Sequence, residues 1–246
     1  VLESLIGQTL LRRRKSGVTL TSYGFRFKRY AQAMNDLWQQ AERETAIPDG
    51  TETVCNFGCH IDLWPELGRK IIEKIQSYNP DAVISAWPGN QSQLEQWLSS
   101  SLIDSAITYR IKINENQTLY ELNAEQLNLY STYREDQNSW KENYVYVDAG
   151  GDFGKRYTVA YADAAFAKMS FGSAVWALEY LLEHGGCAYL PNHLAEKYQT
   201  LGKLYVIPEK PTFTEMRYIA LNDAAAANWI WLPKLIRYFS DKESKI

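Results

Sequence analysis

The chain has 246 residues, 46% of them apolar and 22% charged, which is material for one large core or two small ones and not the composition of a disordered tail. No apolar run approaches the roughly 20 residues needed to span a bilayer, and the first residues lack a basic–apolar–small-residue leader pattern. Three cysteines, an odd set in apolar surroundings, read as reduced buried thiols, so a cytoplasmic protein is expected.

Charge is distributed unevenly. Residues 1–30 carry Arg12, Arg13, Arg14, Lys15, Arg26, Lys28 and Arg29 against the single acid Glu3, a balance of +6 in a chain of net charge −3. The remainder therefore stands at −9 and repels phosphate. Any nucleic-acid contact falls to the basic head.

In chain order, VLESLI reads as a helix tail ended by Gly7, and its start at Val1 implies residues ahead of it. TLLRRR is extended, KSG turns and VTLT alternates, giving a hairpin whose tip holds Arg13, Arg14, Lys15, Ser16 and Gly17. Thr21 is placed to cap a long helix. Its apolar positions, Phe27, Tyr30/Ala31, Met34, Leu37/Trp38 and Ala41, recur every three or four residues as one stripe. Ile47-Pro48-Asp49-Gly50 ends it and marks a domain boundary.

From Thr51 short strands alternate with helices. Strand TVCNF precedes a helix over about 63–78 with Leu63, Leu67, Ile71 and Ile75 on one face. Strand AVISAW, a helix with Leu94, Trp97 and Leu98, and strand IDSAITY follow, a pattern that implies a parallel sheet covered by helices. Apolar segments at 117–123 and 126–132 lead through a polar stretch to a second α/β run: strands YVYVD and AAFAKMS, helix SAVWALEYLLEH, strand CAYLP, a short helix near 193–200 and strand LYVIP. Strand MRYIAL and a helix with Trp229, Leu232, Leu235, Ile236 and Phe239 return to the first lobe.

The head resembles the LysR-type transcriptional regulators. The residues that carry the likeness are Leu2-Glu3, Ile6-Gly7, Leu10-Leu11, Arg13, Val18, Leu20, Thr21 and Gly24, about ten positions in register. It departs at Tyr23, where the family usually has Ala. The body is similar more loosely, in WPELGRKIIEKIQSYNPDAVISAW, in LEQWLSSSLIDSAIT, and in LLEHGGCAYLPNHL, where the family's Gly-x-Gly step is altered to Gly185-Gly186-Cys187-Ala188. The resemblance implies an α/β architecture: a partial winged helix-turn-helix over 1–24, a linker and dimerisation helix over 25–47, and a two-lobe effector domain of the type 2 periplasmic-binding-protein kind over 51–246. Lobe I would comprise 51–125 and 212–246, and lobe II 126–211. The first helices of the DNA-binding domain would lie before Val1.

What the resemblance implies for function is a regulator that contacts double-stranded DNA through Arg13, Arg14, Lys15 and Ser16 of the wing, where contacts to phosphate add affinity and salt dependence. Phe27, Met34, Leu37 and Trp38 would pair the long helix with its twin in a dimer or tetramer, and RNA polymerase is a further partner. Ligands in two-lobe sheets bind at the carboxyl ends of strands. A small-molecule effector is therefore expected among Cys59, His60 and Ile61, Trp87 and Pro88, Thr108 and Arg110, and Ser131 and Gly150 of the other lobe. A stand-alone solute-binding protein with the same two lobes is the competing reading; the basic wing argues against it.

Chemistry beyond binding finds little support. Cys59 beside His60 near a helix start suggests a redox thiol, but Cys55 and Cys59 on one strand stand about 13 Å apart, outside disulfide reach. The three histidines, 60, 184 and 193, lack metal-ligand spacing. Gly150-Gly151-Asp152-Phe153-Gly154 reads as a turn rather than a phosphate cradle. No cofactor, metal, catalytic set or membrane contact is expected.

Overall fold

The computed structural model describes residues 1–14, 17–45, 53–134, 140–148, 152–161 and 167–240. It divides into two compact units, Val1–Thr51 and Glu52–Ile246.

In the first unit α1 (Leu2–Ile6) ends at Gly7, whose φ of 69° is the left-handed conformation that suits glycine. Strands β1 (Leu11–Arg14) and β2 (Gly17–Leu20) pair antiparallel from Leu11↔Leu20 to Arg14↔Gly17. The Glu3 carboxylate accepts hydrogen bonds from the Leu10 and Leu11 amides at 2.6 and 2.8 Å, which fixes α1 to the start of the hairpin. Helix α2 (Ser22–Thr45) follows. The Thr21 hydroxyl donates to the Thr9 carbonyl at 2.6 Å and accepts from the Gly24 amide at 3.0 Å, so one side chain caps α2 and pins it to the hairpin. A Cβ on Gly24 would lie 2.1 Å from the Leu10 carbonyl oxygen. The spacing Leu20-Thr21-x-x-Gly24 thus has a packing cause: threonine ties the corner and glycine lets the backbones meet.

The second unit is built on a seven-stranded sheet of order β10-β6-β11-β5-β3-β4, with β9 also on β6. Strands β3 (Val54–His60), β4 (Val83–Gly89) and β5 (Ser105–Thr108) run parallel, as the alternation of strands and helices predicts. Between β3 and α3 (Arg69–Tyr78) lie a 3₁₀ turn (Ile61–Leu63) and a π-helical turn (Trp64–Gly68), so the expected α-helix from Leu63 begins late. Pro65, which has no amide proton to donate, falls at the start of the π turn. Leu63, Leu67, Ile71 and Ile75 are all buried against the sheet, each contributing about 1.5–3 kcal/mol of burial. Helix α4 (Gln91–Ser99) starts with a reciprocal capping box between Asn90 and Gln93. Pro88 sits in β4 because that strand is the sheet edge.

The segments expected at 117–123 and 126–132 form one strand, β6 (Gln117–Ser131). It continues through β7 (Val145–Val147), α5 (Phe153–Ala160), β8 (Met169–Phe171), α6 (Ala174–His184), β9 (Cys187–Pro191), α7 (Asn192–Thr200) and β10 (Tyr205–Val206). Strand β11 (Phe213–Asn222), α8 (Asp223–Ala226) and α9 (Leu232–Ser240) close the chain. Helix α5 overturns the turn expected at Asp152-Phe153-Gly154; Phe153 is fully buried in an aromatic cluster with Tyr157, Tyr189 and Phe213, and that burial fixes the helix. Residues 149–151 and 162–166 lie outside the described set.

Strands β6 and β11 are antiparallel and carry the chain from one lobe to the other. One end of β6 supports the core of Phe57, Ile71, Ile75, Leu235 and Phe239, to which α9 returns as expected. The other end pairs with β9 beneath a core of Val145, Leu178, Leu181 and Leu190. Between them the ladder slips: Glu215 faces Glu125, yet Arg217 faces Leu122, so β6 carries an extra residue where the lobes meet.

Candidate functional site

The basic hairpin presents its arginines on two faces. Directly opposed residues share a face, so Arg12 and Arg14 lie on one side with Thr19 and Gly17, and Arg13 on the other with Val18. All three are exposed. Arg12, absent from the sequence-based set, is thus the natural companion of Arg14, a pairing that strand alternation alone would have found. Lys15 and Ser16 lie outside the described residues. Of the stripe on α2, Met34, Leu37 and Trp38 are more than half exposed and Phe27 is half-buried.

In the second unit, the carboxyl ends of β3, β5, β7 and β9 point to the space between the lobes, because β9 runs antiparallel to β6 and β7 parallel to β9. The residues expected to form one effector site separate here into several places. Cys59, Ile61, Trp87 and Pro88, with Trp64 and Ala86, line an apolar recess of about 230 Å³ beside the edge strand. Trp87 and Pro88 belong to β4 itself, not to a loop after it. Thr108 is buried and its hydroxyl donates to the Arg110 carbonyl at 3.3 Å. Ser131 is a correction: paired with Cys187 and Tyr205, it stands six residues along β6 from the Glu125 crossing, about 20 Å away. Gly150 lies outside the described residues.

Arg110 lines a second cavity, of about 340 Å³, with Tyr109, Asp152, Arg156, Thr214, Glu215, Met216 and Tyr218. Its walls come from the end of β5, from β11 and from α5, so it spans the lobes. Arg110 pairs with Asp152 at 3.2 Å across the mouth, and Arg156 pairs with the buried Glu215 deeper in. Burial pushes the Glu215 carboxyl above its ordinary range against the pull of Arg156. The buried Tyr109 hydroxyl and the Arg156 Nε find no hydrogen-bond partner among the described residues. Burial also holds the Tyr109 phenol well above its usual value, so it is protonated and able to donate.

The seam between the lobes centres on Asp62, which sequence inspection missed. Its amide donates to His60 Nδ1 at 3.3 Å, and its carboxylate Oδ1 accepts from the Ser173 hydroxyl at 2.6 Å and the Val175 amide at 3.1 Å. The carboxylate therefore sits on the first turn of α6, where helix dipole and free amides favour an anion. His193 on α7 meets the Asp62 carbonyl at 3.0 Å through Nε2 and Glu125 at 2.7 Å through Nδ1. Glu66, Glu125 and His193 are close enough to hold a cation. Arg217 already reaches both carboxylates, at 3.6 and 3.2 Å, and supplies that positive charge.

The thiols Cys55, Cys59 and Cys187 are buried, as their apolar surroundings suggested, and none of them is in a disulfide. Burial pushes Cys59 up to about 12, the reverse of the thiolate that its place near a helix start suggested.

No family model matches the chain. Among curated proteins, the HTH-type transcriptional regulator HdfR of Yersinia pestis is 22% identical over 228 residues, covering 88% of this chain and 76% of HdfR. Among solved structures, DarR of Vibrio fischeri in complex with DNA matches with a TM-score of 0.63 at 15% identity, covering 95% of this chain and 86% of DarR. Full-length LysG of Corynebacterium glutamicum, with arginine bound as effector, matches with a TM-score of 0.60 at 15% identity over 96% of this chain and 83% of LysG.

The fold is that of the LysR-type transcriptional regulators. The chain is similar to such regulators over most of its length, which supports the regulator reading over the solute-binding one. Among the described residues no helix is long and apolar enough to cross a membrane.

Proposed function

We propose that the chain is an effector-responsive transcriptional regulator that binds double-stranded DNA as a homo-oligomer, a dimer or tetramer, in the cytoplasm. The observation that carries this reading is the hairpin of exposed Arg12, Arg13 and Arg14 pinned by Thr21 to a helix with an exposed apolar stripe. Phosphate contacts from the hairpin supply affinity and orientation. Lys15 and Ser16 are assigned to the same contact. The stripe Phe27, Met34, Leu37 and Trp38 pairs two copies, as a reader of two half-sites needs. RNA polymerase is the partner on which such a regulator acts.

The effector enters the interlobe cavity, where Tyr109 and Arg156 offer buried donors and Arg110 stands at the mouth. Cys59, Ile61, Trp87 and Pro88 form a separate apolar recess in this reading and leave the effector set, as does Ser131. A ligand that favours one arrangement of the lobes shifts the population of regulator states. No catalytic step is assigned.

The test is nuclease protection of the region upstream of the protein's own gene. Protection of a discrete segment that Arg12→Ala/Arg14→Ala abolishes supports the reading, and uniform cleavage at every protein concentration overturns it.

A further inference from the structure

His193 is held between acceptors. Its Nδ1 lies 2.7 Å from Glu125 Oε2, and its Nε2 lies 3.0 Å from the Asp62 backbone carbonyl. A carbonyl cannot donate. The same Glu125 oxygen also receives Arg217 Nη1 at 3.2 Å, and a guanidinium only donates, so Glu125 serves both neighbours as an acceptor. A neutral imidazole has one N–H and leaves one contact unmade. Only the imidazolium makes both.

These two contacts join different parts of the second unit. His193 stands on α7, Asp62 in the 3₁₀ turn after β3, and Glu125 beside the slip in the β6–β11 ladder where the chain crosses between lobes. We propose that His193 is a proton-operated latch across the lobe seam: protonated, it ties α7 to both the Asp62 turn and the crossover strand, and deprotonated it releases one of them and loosens the cleft.

The surrounding charges agree. Glu125 faces the ring from β6 and Glu66 from the π-helical turn, Asp62 turns its carbonyl to the ring and its carboxylate to α6, and Arg217 of β11 pairs with Glu125. On the ring's own helix Glu196 and Lys197 are exposed, as are Glu179, Glu183 and His184 of α6, and β9 brings no charged residue. Burial works against the charge, but the Glu125 hydrogen bond, the nearby carboxylates and the Asp62 carbonyl outweigh it and raise His193 above its ordinary 6.5. The latch is thus complete below 6.5 and is lost as pH rises through the raised value. Asp62, whose carboxylate is gripped by α6, makes the two helices move together.

Nitrogen-15 NMR of histidine-labelled protein reads the ring directly, with His193→Gln assigning its signals among the three histidines. The expected result is a titration midpoint above 6.5, with both His193 nitrogens protonated at pH values below it. Hydrogen exchange, corrected for the intrinsic pH dependence, reads the seam. Protection of 173–177 falls at least tenfold in the native chain as pH rises through that midpoint. In His193→Gln it stays level, and in Glu66→Gln the fall occurs at lower pH. A midpoint at or below 6.5, or equal protection profiles for native chain and His193→Gln, would overturn the latch.

Discussion

The Ser173 hydroxyl donates a 2.6 Å hydrogen bond to the Asp62 carboxylate, linking residues 111 positions apart in sequence and in opposite lobes. Asp62 is fully buried and also accepts from the Val175 amide. The amino end of α6 therefore receives its anion from the other lobe. Asp62→Ala leaves the α6 hydroxyl and amide buried without their acceptor, and is expected to destabilise the second unit by about 3 kcal/mol. Asp62→Asn keeps an acceptor and loses the charge, for about 1–2 kcal/mol. Urea unfolding of the three proteins checks the order; equal midpoints for Asp62→Ala and the native chain would refute the role of this contact.

Stability of the same seam depends on pH from both sides. His193 contributes below 6.5 and loses its contribution as pH rises through its raised folded value. His60 is shifted the other way by burial, against the pull of Asp62 and Asp148, and its Nδ1 accepts the Asp62 amide. It is accommodated in its neutral form above 6.5 and opposes folding as pH falls below that value. The urea midpoint should therefore pass through a maximum near 6.5. A midpoint that rises or falls steadily from pH 5 to 9 contradicts this pairing of histidines.

The thiols should be inert in the native state. All three are buried, Cys59 is pushed up to about 12 by burial, and Cys55 is raised further for the same reason, with Asp104 adding to it. An aromatic disulfide reagent at pH 8 should titrate none of them until denaturant is added, then three per chain. Rapid reaction of one thiol without denaturant would contradict this.

The exposed stripe on α2 predicts association. Leu37→Asp and Trp38→Asp place a charge in the middle of an apolar helix face and should shift the sedimentation coefficient from oligomer to monomer at micromolar concentration, with the fold of the second unit intact by circular dichroism. Unchanged sedimentation would mean that another surface joins the copies.

Local pattern made most of this fold legible. The four-residue step from Leu63 to Ile75 marked a buried helix face, and the alternation of strand and helix marked the parallel strands β3, β4 and β5. Thr21 was legible as a cap because capping is a local event, whereas the close approach at Gly24 appears only in the fold. What escaped was non-local. Asp62 and His193 meet across 131 positions, and Glu125 turns inward beside the extra residue in β6, which breaks the alternation a strand pattern relies on. Ser131 was misplaced for a related reason: two apolar segments proved to be one strand of 15 residues, which carries its end away from the cleft. Helix α5 escaped because Gly150, Gly151 and Gly154 suggest a turn, whereas Phe153, Tyr157 and Tyr161 are set by aromatic packing that only the folded lobe supplies.

The most direct test of the regulator is its DNA affinity across a salt series, using the protein expressed from its complete gene and a duplex from its own upstream region. Selective binding with a steep log–log slope is predicted, and Arg12→Ala/Arg13→Ala/Arg14→Ala should reduce that slope by up to about 3, near 0.9 for each lost phosphate contact. An unchanged slope in the triple variant, or no preference for that duplex over an unrelated one at any salt concentration, would contradict the account.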